Sequence, residues 1–591
     1  MKRKGWLDRF LDWRIRHIND QQFMILVGVV VGLGVGFSAV IIKNTVYFIE
    51  YLLTHNFDRN DFNFLYLAFP SIGITLAVVF SRFILRKRIG HGVPSVLYAI
   101  SRSNGRIRRH NMFSSVITSA LTVGFGGSVG LEGPTVATGA AIGSNLGRRL
   151  RLNQRQVISM LGFACAGAMA SIFKAPIAAI VFALEVIMIG LTMSSLVPLL
   201  AASVSAALTS YFFLGQDVLY PFEVTEGFQL NDTVYYVAFG ILAGLVSVYF
   251  ARTYITFERL FSRIKNWYNK LLIGGLSLGI LIFFFPSLYG EGYEAINSCL
   301  QGDYNYLFDN SIFSGFRGNM LFAIALVLVI VLFKVVATSL TFGAGGIGGI
   351  FAPTLFMGAH IGLFFALLVN YFGMGDLITS NFALVGMAGL IAGVLHAPLT
   401  AIFLIAEITG GYKLFMPLMI VATISYATVR VFLSNSVYTY QLARRGELIT
   451  HHKDKAVLTR MSVKNLIETN FVRVAPEATL RELVKAISST HRNIFPVTDE
   501  ENHFLGIVRL DDIRETMFRT DLYDSTRVHS LMYIPEVLVD LRDTMEEVAE
   551  KFKQSGKYNM VVLDQGKYLG FVSRANVFSE YRNLLQQYSE E

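Results

Sequence analysis

Glu132 sits in GFGGSVGLEGP (124–134), a glycine-rich interruption just before a run that Pro134 opens as a helix. Glycine lets backbone amides approach a ligand closely, and proline in the first helical turn sacrifices no hydrogen bond. A helix start at membrane depth presents unpaired N–H groups and the positive end of the helix dipole, so it attracts an anion. A carboxylate placed there takes the anion's seat and leaves it when protonated. Glu132 is therefore a candidate gate; the plainer reading is a carboxylate capping its own helix. Two further interruptions share the design, GHGVP (90–94) and GAGGIGGIFAP (343–353). Three such starts, each with a proline, are expected to converge on one dehydrated anion through neutral backbone.

Two more acids lie in apolar surroundings. Glu185 ends FKAPIAAIVFALE (173–185) and Glu407 ends LHAPLTAIFLIAE (395–407), downstream of Lys174 and His396 respectively. A charge at the bilayer centre costs about 2.5–3.5 kcal/mol on insertion scales, so each needs a reason. These two read as structural acids that tie down neighbouring backbone. With Glu132 they are the only three acids expected within the apolar segments of residues 1–450 or in their breaks.

The elements carrying these residues repeat. EGPTVATGAAIG (132–143) matches APTLFMGAHIG (352–362) at an offset of 219, and the stretches ending in Glu185 and Glu407 match at 222. Apolar segments follow one another from 22–43 to 415–433. Several fall short of the ~20 residues a spanning helix needs, as expected where half-helices meet in a protein-lined cavity. Repeated halves with broken helices point to a transporter-type fold with its site near the midplane.

Composition agrees. The 591 residues are 53% hydrophobic and 16% charged, with mean hydropathy +0.50. That excludes a purely soluble protein, and no enzymatic activity is expected. The net charge of +9 divides unevenly. Residues 451–591 hold 19 basic and 22 acidic side chains, net −3, and residues 1–450 hold 32 and 20, net +12. The excess belongs to the apolar part, where it reads as positive-inside topology and not as nucleic-acid contact. Segment 1–21 contains a basic amphipathic helix, read as lying at the cytoplasmic surface or against the chain's own tail. No signal peptide is expected, and Cys165 and Cys299 form no framework or metal spacing. The tail repeats too: TLRELVKAI (479–487) and TMEEVAEKF (544–552) are offset by 65, giving two α/β units at 457–518 and 525–588 after a linker at 446–456.

Taken together, GHGVP, GLEGP and GGIFAP resemble the three signature stretches of the CLC chloride channels and chloride/proton exchangers, usually read as GSGIP, GREGP and GxFxP. KVVATSLTFGAGGIGGIFAP (334–353) is similar to its family counterpart, and the tail resembles paired CBS domains. The resemblance implies an α-helical membrane protein built as an inverted repeat over residues 22–445 (halves 22–215 and 230–445), followed by a cytoplasmic α/β CBS pair. It implies a homodimer in the cell membrane, with an anion pathway in each subunit and chloride as the transported ligand. By position, Glu132 corresponds to the gating glutamate and the amides of Ile350 and Phe351 to central anion ligands. Tyr438 corresponds to the pore tyrosine, with Tyr440 two residues away as the competing alignment. The motif glycines Gly92, Gly130 and Gly133 join His91 as candidate anion contacts.

Three departures stand out. His91 replaces the serine of chloride-selective members. Val186 stands where well-studied exchangers carry an internal proton-transfer glutamate, which favours passive conduction; the alternative is an exchanger with another internal proton route. Leu131 replaces a basic residue before the gate. In the tail, Arg509 with Asp512 and Ser573 with Asn576 each keep half of the Ser/Thr and Asp pair through which CBS domains bind adenine nucleotides. A structural, dimerising role is therefore favoured there over a nucleotide sensor, and no cofactor is required. Two other classes fit less well: no His-Glu-x-x-His string supports a metalloprotease, and three scattered acids do not line a divalent-cation pore.

Overall fold

The computed structural model describes residues 6–54, 64–87, 89–90, 92–187, 193–215, 227–309, 311–409, 411–444, 458 and 461–589. His91 and the linker 446–456 lie outside the described residues. The chain divides into two compact units, Met1–Leu448 and Ile449–Glu591.

The first unit is helical: α1 (Trp6–His17), α2 (Asp20–Thr54), α3 (Phe69–Val79), α4 (Gly92–Arg102), α5 (Asn111–Gly124), α6 (Glu132–Arg149), α7 (Gln154–Phe173), α8 (Pro176–Glu185) and α9 (Met193–Leu214) form its first half. The second comprises α10 (Thr233–Arg263), α11 (Trp267–Phe284), α12 (Tyr293–Leu300), α13 (Met320–Ala344), α14 (Phe351–Tyr371), α15 (Thr379–Leu395), α16 (Pro398–Ile408), α17 (Phe415–Phe432) and α18 (Tyr440–Arg444). Among the described residues, nine helices are long and apolar enough to cross a membrane, and this is a multi-pass membrane protein. Shorter apolar helices, among them α8, α15 and α16, are the half-length pieces expected from the sequence.

The repeat is built from matching local rules. α7 and α15 both stop at a residue in the left-handed region, Lys174 (φ 56°) and His396 (φ 57°). Ala175 and Ala397 follow at φ −126° and −130°, since the residue before a proline is pushed out of the helical region. Pro176 and Pro398 then restart the chain as α8 and α16. The halves meet where Gly130 and Gly349, 219 residues apart, form an antiparallel bridge, with N–H···O distances of 2.9 and 2.7 Å. Equivalent residues that pair with each other lie on a pseudo-two-fold axis, and the chain crosses that axis in opposite directions. Contacts between small residues bring the interior helices together: Gly358 of α14 and Gly386 of α15 each leave the other's carbonyl no room for a Cβ.

The apolar windows understate the helices. α2 runs on past residue 43 to Thr54 and carries Glu50, while α10 runs to Arg263 and carries Glu258. Both acids lie beyond the apolar segments 22–43 and 234–251, outside the three-acid expectation.

In the second unit, β1 (Ile494–Thr498) pairs antiparallel with β2 (Phe504–Arg509). β3 (Val539–Asp540) runs parallel to β4 (Asn559–Asp564), which pairs antiparallel with β5 (Lys567–Ser573). A parallel bridge from Val474 to Val497 repeats the Val539–Val562 pairing 65 residues earlier. The helices Leu480–Ser488 and Met545–Ser555 each open on a capping box, Thr479 with Glu482 and Thr544 with Glu547. The two α/β repeats within this unit exchange edges: Glu468 bridges Phe571 of β5, and Tyr533 bridges Ile507 of β2.

Candidate functional site

The three glycine-rich breaks come together. A Cβ built on Gly92 would lie 3.0 Å from Gly133 Cα, and one on Gly133 would lie 3.1 Å from Gly348 O. A side chain at either glycine would press on the facing backbone, and Gly92 also adopts φ +42°, which favours glycine. Glu132 opens α6 and is 2% exposed. Its Oε1 accepts a hydrogen bond from the Tyr293 hydroxyl at 3.1 Å. Its Oε2 lies where a side chain on Gly130 would fall, 2.0 Å from that Cβ, and is buried without a hydrogen-bond partner among the described residues. The carboxylate thus sits beside the Gly349 backbone, just ahead of the start of α14.

Beside it lies a cavity of about 230 Å³ lined by Gly92, Gly133, Gly349, Ile350 and Tyr438. Ile350 is the N-cap of α14 and Phe351 its first residue, and the first N–H groups of a helix have no partner within it. Phe351 is buried and its ring packs on Phe173 at 5.2 Å, which leaves its amide as the usable group. Tyr438 faces the cavity, whereas the Tyr440 hydroxyl is bonded to Arg259. Lys270 and Glu258 also line the cavity. The helix-start amides of Ile350 and Phe351 and the Tyr438 hydroxyl can hold a dehydrated anion, with Lys270 and Glu258 as the charged groups on the cavity wall.

Glu185 does not face this cavity, and Val186 beside it is the buried C-cap of α8. The Glu185 carboxylate accepts from the amides of Leu399 and Thr400 at 3.2 and 2.7 Å, and from the Thr400 hydroxyl at 2.7 Å. In the tail, the Ser573 hydroxyl donates to Glu468 Oε1 at 2.6 Å and accepts from the Asn576 amide. Glu468 Oε2 accepts from Arg492 at 2.9 Å, so both carboxylate oxygens are engaged within the unit. Asp512 is exposed.

Several functional candidates escape sequence reasoning. Glu291 comes from the loop before α12 and Tyr293 is the first residue of that helix; Glu291 Oε1 accepts from the Leu131 amide at 3.1 Å. Lys43 and Lys334 are buried in α2 and α13. Lys43 donates to the Ile172 carbonyl at 2.7 Å; Lys334 lies over the Phe356 ring and donates to the carbonyls of Leu288 and Gly290. A lone charge inside an apolar run was the available signal for both lysines.

Residues 72–430 match the voltage gated chloride channel family, and residues 463–519 and 528–583 match CBS domains. The chain is 30% identical over 390 residues to a putative chloride channel protein ClcB-like from Ralstonia nicotianae, covering 64% of this chain and 86% of that one. It is 26% identical over 487 residues to chloride channel protein CLC-f of Arabidopsis thaliana, covering 72% and 60%. Among solved structures, a slow cyanobacterial chloride/proton antiporter superposes with a TM-score of 0.61 at 21% identity, covering 72% of this chain and 98% of that one. A eukaryotic CLC transporter superposes with a TM-score of 0.60 at 18% identity over 94% and 97%. By the family match across its helical unit and the shared fold, the chain belongs to the voltage-gated chloride channel family and carries a pair of CBS domains behind its membrane body.

Proposed function

We propose that the protein is a gated chloride pathway that conducts anions passively across the cell membrane as a homodimer, with its N-terminus and CBS pair in the cytoplasm. One observation carries this reading: Glu132 lies buried at the crossing of the repeats, against Gly130 and near the start of α14, next to Gly133 in the wall of the cavity lined by Ile350 and Tyr438. The carboxylate fills the anion's seat; when it is protonated and swings out, chloride takes its place on the backbone amides. Val186 supports conduction over coupling, because valine carries no proton on the inner side.

The second reading is chloride/proton exchange, favoured by Glu291, which binds the amide beside Glu132 and offers a second carboxylate at the same depth. Liposome flux separates the two. Glu132→Gln is expected to leave the pathway open to chloride with its pH dependence lost. Unchanged, pH-dependent flux in that variant rejects the gate. Uphill proton movement driven by a chloride gradient in the native protein rejects passive conduction.

A further inference from the structure

We infer that residues 288–293 form an outer clasp on the gate, with Tyr293 as the latch that holds Glu132 in the closed position. The inference deepens the gate reading above and rests on it. Residues 288–293 are stitched to the α5–α6 break along its length. The Tyr289 hydroxyl donates to the Gly124 carbonyl at 3.1 Å and the Gly290 amide to the Gly126 carbonyl at 3.4 Å. Glu291 accepts from Leu131, the N-cap of α6, at 3.1 Å, and Tyr293 reaches Glu132 itself at the same distance. Beneath the segment, the Lys334 ammonium binds the carbonyls of Leu288 and Gly290 at 3.5 and 3.3 Å. Gly292 turns at φ +81°, where a Cβ would fall 2.5 Å from the Phe356 ring, so the loop can lie flat on α14.

The sequence of contacts gives the clasp its direction. Lys334, fully buried, fixes the loop's carbonyls from below, and Glu291 fixes the start of α6 from above. Tyr293 is then presented at the first residue of α12 with its hydroxyl on the one side chain that must move. A phenol donating to a carboxylate binds its charged form more strongly than its neutral form, so the latch holds when Glu132 is ionised and loosens when it is protonated. The other charged groups in electrostatic reach are Lys43 from α2 and Glu291 from the clasp, with Lys334 acting on Glu291 from α13. None of these bonds Glu132 directly in the way Tyr293 does. Tyr293 is a positioning residue: it acts on the anion through the gate.

Tyr293→Phe tests this with the ring packing kept and only the donor removed. In liposomes at neutral pH, chloride flux through Tyr293→Phe is expected to rise about tenfold over the native protein, the scale of one hydrogen bond to a charged group. The half-activation point of its pH profile is expected to move to higher pH. In a Glu132→Gln background the same change is expected to add nothing, because the latch has no charged gate left to hold. Native flux in Tyr293→Phe, while Glu132→Gln opens the pathway, overturns the clasp and leaves the gate standing. An equal rise in both backgrounds also overturns it, since Tyr293 would then act elsewhere. A silent Glu132→Gln rejects the gate reading itself.

Discussion

Glu185 and Glu407, equivalent residues 222 apart, cap each other's repeats. Glu185 binds the amides of Leu399 and Thr400 at the start of α16, and Glu407 binds those of Ile177 and Ala178 at the start of α8, at 3.1 and 2.7 Å. The acceptors and donors correspond position for position. Each short helix therefore ends in the acid that neutralises the other's exposed amides and positive dipole end, and neither helix completes its own start.

Removing either acid leaves two amides half-buried without an acceptor. Glu185→Ala and Glu407→Ala are each expected to lower stability by about 1–3 kcal/mol, with Gln in place of Ala losing less because one acceptor remains. Thermal unfolding of the detergent-solubilised protein checks this. A drop confined to one of the two sites contradicts the reciprocal cap.

Gly130 has no space for a side chain, since its Cβ would fall on the Glu132 carboxylate. Gly130→Ala is expected to push the carboxylate out of its seat and raise resting chloride flux several-fold with weakened pH dependence. Flux and pH profile unchanged from the native protein would mean that the carboxylate does not need that seat.

Ser573 is already bonded to Glu468, whose second oxygen is held by Arg492. A ribose hydroxyl would have to displace an internal carboxylate. Adding millimolar AMP or ATP to the full-length protein is accordingly expected to move the unfolding midpoint by less than about 1 °C. A shift of several degrees, abolished by Ser573→Ala, would reveal a nucleotide site.

The tail also has an expected acid response. Backbone amide bonding from His503 holds the Asp499 carboxyl below its ordinary range, the Arg481 guanidinium does the same for Asp524, and the Thr479 cap for Glu482. Groups depressed in the folded state stabilise it above their unfolded values and lose that contribution as pH falls through the folded ones. The tail is expected to hold its stability from neutral pH to about pH 5 and to lose it progressively below about pH 4. Circular dichroism across that range tests the sign; a midpoint that rises on acidification reverses it.

The kind of molecule was legible in the amino-acid sequence. A low charge fraction, broken apolar runs and offsets of 219 and 222 sufficed for a repeated membrane fold. Glycine and proline spacing marked the three helix starts, because those residues act through their own backbone and need no partner to be recognised. The repeat of 65 did the same for the tail. Tertiary structure alone decided what faces what. That Glu185 completes the other repeat's helix, that Tyr438 and not Tyr440 lines the cavity, and that Ser573 is engaged by Glu468 are pairings between distant segments. Tyr293 and Glu291 lay hidden for the same reason: a single tyrosine or acid beside a turn has no periodicity, and only the folded chain brings them within 3.1 Å of Glu132 or the amide beside it.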